Sequence, residues 1–148
     1  MSVEPYDEEE IVDDDVIVRR VDPEQHVIWD SNTNRNRISS KLYSKSSGVN
    51  GGMSVDIERL IIHAGIEPAK FVTTPKHVGS VWFTAQDVRA FDLMVGYDPI
   101  ENVAGLQDNP FHGEVWTRRP SRRFSNQQRR GLAGAAEWYV QLDETDLR

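Results

Sequence analysis

The stretch FHGEVWT, residues 111–117, has the alternating pattern of a β-strand. In a strand, His112, Glu114 and Trp116 share one face. A histidine and a carboxylate on one face are the residue types of a general base and its partner. The stretch therefore predicts a fold built on a sheet, and it makes His112 and Glu114 candidate catalytic residues.

The segments around this strand predict further strands mixed with helices. β-Branched and aromatic residues predict strands at residues 16–21, 26–29, 80–83 and 93–97. Apolar residues at helical spacing predict a helix over residues 54–64. Capping-box spacing predicts two more helices, one after Thr84 and one from Ser125 to about residue 140. Because strands and helices do not alternate regularly, we expect an α+β fold: a single compact domain with a small mixed or antiparallel sheet and about three helices.

Charge divides the chain into unlike parts. Residues 1–15 contain eight acids and no base. Because few apolar residues accompany these acids, burial cannot offset the entropy cost of ordering, and we expect residues 1–14 to form a disordered acidic arm. The chain of 148 residues has the usual size of one domain, so residues 15–148 are predicted to form the single α+β domain.

Residues 117–130, TRRPSRRFSNQQRR, contain six arginines and no acid. Guanidinium groups beside the amides of a helix start are suited to phosphate binding, and arginine clusters also serve protein interfaces. The segment therefore predicts a contact surface for nucleic acid or an acidic protein partner, unless these arginines only face solvent or pair with acids of the chain itself. Its candidate binding residues are Arg118, Arg119, Arg122, Arg123, Arg129 and Arg130.

Residues 31–52 are rich in serine, asparagine and glycine and predict a long polar loop. Arg35, Arg37 and Lys41 in this loop are further candidate partner-binding residues. The loop has neither the spacing of a Walker A motif nor that of a dinucleotide fingerprint, so a surface loop is the simpler interpretation.

The composition excludes several kinds of site. The chain has no cysteine, which excludes disulfides, zinc–thiolate sites and cysteine nucleophiles. The four histidines are widely spaced, so we predict no metal site, and no cofactor is predicted. No apolar run is long enough to span a membrane and no secretory signal is recognised, so a cytoplasmic location is expected. The four tryptophans are expected in the core.

The chain resembles two groups of known proteins. The segments GGMSVD, LMVGYDP, NPFHGEV and AAEWYV resemble those of a widespread group of small uncharacterised bacterial proteins, which implies a bacterial or phage origin. The chain is also similar, without a shared motif, to small ADP-ribosyltransferase-like domains. There, an arginine on the first strand, a serine or tyrosine and a later glutamate hold a dinucleotide. This resemblance implies those roles for Arg19 or Arg20, for Ser54 or Tyr43, and for Glu114.

Two functions follow as hypotheses. The first is a non-catalytic binding module that contacts nucleic acid or an acidic protein surface through the arginine-rich segment. The alternative is a small enzyme, ADP-ribosyltransferase-like or a hydrolase, that acts on a nucleotide or nucleic acid through Arg20, His112 and Glu114. The enzyme hypothesis predicts that His112, Glu114 and an arginine from residues 16–37 line one pocket.

Overall fold

The computed structural model of the chain describes residues 4–44, 50–119 and 123–142. Eight strands form in this part of the chain, and five of them lie where the sequence predicted strands. They are β1 (Val16–Val21), β2 (Val27–Asp30), β3 (Arg35–Ile38), β4 (Met53–Ile57), β5 (Gly79–Thr84), β6 (Leu93–Tyr97), β7 (His112–Thr117) and β8 (Glu137–Val140).

Five α-helices and a 3₁₀ turn at Ser40–Leu42 connect the strands of the described part. The helices are α1 (Pro23–His26), α2 (Glu58–His63), α3 (Pro68–Val72), α4 (Ala85–Ala90) and α5 (Asn126–Ala135). Both predicted capping boxes are confirmed. Thr84 and Asp87 close the start of α4, and Ser125 and Gln128 close the start of α5, each through reciprocal side chain to backbone bonds.

Six strands form one antiparallel sheet in the order β6-β7-β4-β1-β5-β8, and β2 pairs with β3 in a separate hairpin. Alternation along β1 places Ile17 and Val21 in the larger core, on the face that the apolar side chains of α4 and α5 also enter. Val18 points to the other face and packs with residues of α2 and α3. Arg20 follows two positions later and shares the face of Val18, so polar groups continue where this smaller core ends.

Three predicted elements differ from the structure. Residues 54–64 were expected to be one helix, but residues 53–57 form β4 and only residues 58–63 are helical. The predicted loop over residues 31–52 contains β3 and the 3₁₀ turn. The last helix ends at Ala135, because the following EWYV segment pairs with β5 as strand β8.

The N-terminal segment of residues 4–14 forms no helix or strand, yet it packs on the domain and so differs from the predicted disordered arm. Ile11 is fully buried in the larger core. Asp7 and Asp13 form ion pairs with Arg89 at 3.1 and 2.7 Å. Two acids of this segment therefore pair with an arginine of α4.

The described residues thus form a single compact α+β domain with an antiparallel sheet. This domain has more strands and helices than the sequence predicted. Of the tryptophans expected in the core, Trp116 is buried, whereas Trp29 and Trp138 are 58% and 39% exposed. In the described part of the chain, no helix is long and apolar enough to cross a membrane.

Candidate functional site

The site lies where β1 and β4 separate. These strands pair only at Ile17 with Ile57 and at Val18 with Asp56, whereas β1 pairs with β5 along its whole length. Beyond Val18 the buried side chain of Arg19 joins the two sides, since its Nη1 donates to the Ser54 carbonyl at 3.1 Å. The separation opens the polar face of the sheet.

A cavity of about 600 Å³ occupies this opening, and its volume is in the range of small-molecule sites. Arg20 of β1, Ser54 of β4 and His112 of β7 all line it. The same face of three neighbouring strands therefore supplies a cation, a hydroxyl and an imidazole to one space.

The hydrogen bonds of His112 determine its tautomer. Nδ1 lies 2.6 Å from the Asp98 carbonyl, which can only accept, so Nδ1 carries the proton and Nε2 is the acceptor. The Ser54 hydroxyl is in hydrogen-bond contact with Nε2 and donates to it. Burial lowers the pKa of His112, which keeps the ring neutral at pH 7. The pair has the arrangement of a hydroxyl and its general base.

Arg20 is held in a fixed orientation beside this pair. Its Nε and Nη2 donate to both carboxylate oxygens of Asp56, at 2.8 and 3.1 Å. Asn109 Nδ2 donates to the same carboxylate at 2.7 Å, and the guanidinium lies 5.5 Å from the centre of the Phe71 ring. A two-bond ion pair restricts the guanidinium, so that Arg20 presents its remaining donors in a defined direction.

Glu114 is fully buried next to Ser54 and His112, and it accepts hydrogen bonds from the backbone of residues 50–52. Its two carboxyl oxygens accept from Gly52 N at 2.7 Å and from Asn50 N at 2.9 Å. Burial, reinforced by a side-chain hydrogen bond with Asp98, raises the pKa of Glu114 to about 8. The raised pKa favours the protonated form of Glu114 beside Asp98, the residue whose carbonyl orients His112.

One group of side chains within the described ranges has the composition of a cation site. Ligand atoms of Asp98, His112 and Glu114 lie within 4.8 Å of one another, and all three residues are buried. The oxygens of Glu114 already accept two backbone amides, and both ring nitrogens of His112 are in hydrogen bonds. Asp98, His112 and Glu114 therefore belong to a hydrogen-bond network that orients His112.

The sequence-predicted catalytic residues are brought close together, but they do not all reach the cavity. Arg20 and His112 line it, whereas Glu114 is not among the described residues that do. Of the residues that the ADP-ribosyltransferase-like resemblance implies, Arg19 and Ser54 also line the cavity. Tyr43 is buried against Phe83 on the core side, with ring centres 6.5 Å apart.

The predicted partner-binding arginines that the structure describes do not line the cavity. Arg118 forms an ion pair with Asp92 at 2.9 Å, and Arg119, Arg123 and Arg130 are exposed. Arg129 is half-buried and bonds Asn126. Arg122 lies outside the described residues.

Arg35, Arg37 and Lys41 are exposed on and beside the β2–β3 hairpin. Arg37 pairs with Asp30 at 3.3 Å across the two strands.

Sequence reasoning missed Asp56, which orients Arg20, and Asp22 and His26, which line the cavity. Asp56 had a signal in the alternation of MSVDI, because a strand there would place Ser54 and Asp56 on one polar face. The assignment of this segment to a helix concealed it. Asp22 and His26 are far in sequence from the other site residues and had no such signal.

Comparison of the chain with known proteins finds no matching family model, no similar curated protein and no similar solved structure.

Proposed function

We propose that the protein is a small enzyme that acts on a nucleotide in the cavity between β1, β4 and β7. The observation that carries this proposal is the convergence of Arg20, Ser54 and His112 on that cavity. A hydroxyl bonded to a neutral, oriented imidazole and lying beside an arginine suits transfer or hydrolysis at a phosphate-bearing substrate.

The substrate class is supported by the cationic groups of the cavity wall. Arg19, Arg20 and Lys76 line it together with the aromatic ring of Phe71, and the carboxylates of Asp22, Asp56 and Asp108 line it as well. Phosphate groups would bind the cations, and the ring offers an apolar surface beside Arg20. These are the chemical requirements of a nucleotide, and they agree with the dinucleotide implied by the resemblance to ADP-ribosyltransferase-like domains.

In this proposal the reaction depends on proton transfer at His112 Nε2. Nε2 accepts the proton of the Ser54 hydroxyl as its oxygen bonds to the substrate and the leaving group, nicotinamide or a phosphate group, departs with the bonding electrons; a water or an acceptor hydroxyl then displaces Ser54 and releases the product. Glu114 is a positioning residue, since it binds Asp98 and the backbone of residues 50–52 and does not line the cavity. Arg20 stabilises the phosphate charge.

The test is product formation from NAD⁺ and from ATP, followed by chromatography and mass spectrometry. We expect Ser54→Ala and His112→Gln to lower turnover at least about a hundredfold, the usual contribution of general acid–base catalysis. The matched controls are Ser40→Ala and His63→Gln, which change exposed residues outside the cavity. Release of nicotinamide would identify a transferase or glycohydrolase, and release of phosphate or a nucleoside monophosphate would identify another hydrolase.

Two results would contradict the proposal. One is that the unmodified chain forms no product from either nucleotide. The other is that both site variants remain folded by circular dichroism and keep the turnover of the controls.

A binding module is the second candidate, because Arg119 after β7 and Arg123 and Arg130 near the start of the ten-residue helix α5 are exposed. Their combined replacement by alanine should weaken binding to a short single-stranded oligonucleotide and reduce its salt dependence. The melting temperature should change little, because exposed substitutions usually cost less than about 0.5 kcal/mol. Equal binding by both forms at 50 and 200 mM salt would argue against nucleic acid as the partner of this segment.

A further inference from the structure

A short loop at the cavity wall carries two donor groups that the described residues leave unpaired. Residues 74–77 form this loop, and two hydrogen bonds close it: Thr74 N donates to the His77 carbonyl and His77 N donates to the Thr74 hydroxyl, both at 3.0 Å. Thr74, Lys76 and His77 all line the cavity. The 74–77 loop therefore has a fixed backbone from which Lys76 and His77 reach the cavity.

His77 offers one ring nitrogen to a ligand. Its Nδ1 lies 3.4 Å from the Thr74 hydroxyl, within the loop. Nε2 has no hydrogen-bond partner in the described part of the chain, and it is not among the enclosed polar atoms of that part, so a ligand in the cavity can reach it. Burial, with contributions from Arg20 and Lys76, lowers the pKa of His77 and keeps the ring neutral at pH 7. A neutral imidazole that carries its proton on Nε2 donates from that atom.

Lys76 supplies a full positive charge beside this nitrogen. Its side chain is exposed and forms no ion pair or hydrogen bond within the described ranges. Arg20 and Lys76 are the charges that act most strongly on His77, which places both near the ring. Asp22 is the nearby anion, and its Oδ1 already accepts from Glu24 N. An ammonium group and an imidazole N–H together suit an anionic oxygen of a ligand.

The order of the sheet places Lys76 and His77 on the far side of Arg20 from Ser54 and His112. β1, which carries Arg20, lies between β4 and β5, and the 74–77 loop leads into β5. β1 and β5 pair along their whole length, so these neighbouring strands lie about 4.8 Å apart. A phosphate group bound at Arg20 therefore has the reacting pair on one side and the 74–77 loop on the other.

We propose that Lys76 Nζ and His77 Nε2 bind a second phosphate group of the substrate, next to the one at Arg20, so that the site selects nucleotides with a diphosphate over nucleoside monophosphates. This inference rests on the proposed function. A diphosphate supplies the acceptor that these two donors lack, whereas a monophosphate at Arg20 leaves them unpaired.

Calorimetric titration of the full chain with AMP and ADP measures this selection, because the two nucleotides differ only in the second phosphate group. We expect ADP to bind at least about tenfold more tightly than AMP, the effect of one good charge-assisted hydrogen bond. Lys76→Met and His77→Ala should each lower the ratio of the two affinities, and the double variant should bring it close to one. The affinity for AMP should stay close to that of the unmodified chain.

The matched controls are Lys70→Met and His63→Ala, which change exposed residues outside the cavity and should keep the ratio of the unmodified chain. Lys76→Met should keep the melting temperature, because exposed substitutions usually change stability little. Its affinity ratio therefore decides the proposal even if His77→Ala does not fold.

Equal affinities for AMP and ADP in the unmodified chain would overturn the second phosphate site and leave nucleotide binding intact. An unchanged ratio in folded Lys76→Met would overturn it as well. If neither nucleotide binds, the proposed function fails and this inference fails with it.

Discussion

Glu114 is the residue whose pKa depends most on its surroundings. It is fully buried, it accepts two backbone amides, and it shares a hydrogen bond with Asp98. Charging it would place a second anion beside Asp98 away from water, which is unfavourable. The proton on Glu114 thus stabilises the position of Asp98, and through the Asp98 carbonyl it stabilises the orientation of His112.

This protonation predicts a specific dependence of stability on pH. The pKa of Glu114 is about 8 in the folded protein and about 4.5 in an exposed chain, so the folded state holds an extra proton between these values. The contribution of Glu114 to stability should therefore fall as pH rises toward 8, by at most about 1.4 kcal/mol per pH unit. Denaturant unfolding at several pH values between 6.5 and 8 measures this slope.

The buried histidines change stability in the opposite direction at the lower end of this window. The pKa values of His26, His77 and His112 are lowered from 6.5, so up to about one unit above that value the unfolded chain binds protons that the folded chain does not. Glu114→Gln keeps all three histidines, so the difference between its slope and that of the unmodified chain isolates Glu114. The variant should lose the fall of stability with pH, even if its amide faces a backbone donor and lowers stability overall. The exposed Glu101→Gln is the control and should keep the slope. An equal slope in Glu114→Gln would mean that Glu114 is ionised.

At the scale of elements, local signals predicted helix starts better than helix lengths. The capping boxes at Thr84 and Ser125 form as predicted, because their bonds join residues only three positions apart. The end of α5 was not predictable in the same way. Residues 137–140 form a strand only because β5 offers them an open edge.

The segment from Met53 to His63 shows the same competition. Its apolar residues fit helical spacing, but β4 takes the first five of these residues because β1 and β7 bond it from both sides. These two strands, distant in sequence, supply the backbone hydrogen bonds that a helix would otherwise make within itself. Periodicity alone therefore could not decide whether the segment forms a helix or a strand. This change of element is what brings Ser54 to the cavity.

At the scale of the whole molecule, the acidic N-terminal segment is part of the domain. Glu8 N donates to the Val95 carbonyl of the edge strand β6 at 2.9 Å, and the Tyr6 ring packs on Trp116 with centres 6.0 Å apart. Arg59 pairs with Asp15 at 3.1 Å. The segment therefore covers a sheet edge, where an exposed strand would otherwise be open to pairing with another chain.

A pair of neighbouring substitutions tests this packing. Ile11 is fully buried, whereas Val12 is 55% exposed. Ile11→Ala should lower the free energy of unfolding by about 2–5 kcal/mol, the usual cost of a cavity in a core, and Val12→Ala by less than about 0.5 kcal/mol. Denaturant unfolding measures both. If both changes have the same small effect, the segment is the free arm that its composition predicted.

The sequence alone determined the α+β class, most strands of the sheet, two helix starts and the candidacy of Arg20 and His112, because these depend on local periodicity and short-range bonds. Only the tertiary structure decided that β1 and β4 separate, that Ser54 lies on a strand beside His112, and that Asp56 and Asp22 join the site. The physical reason is sequence distance. Ser54 and His112 are 58 positions apart, and only the pairing of β4 with β7 brings them into contact.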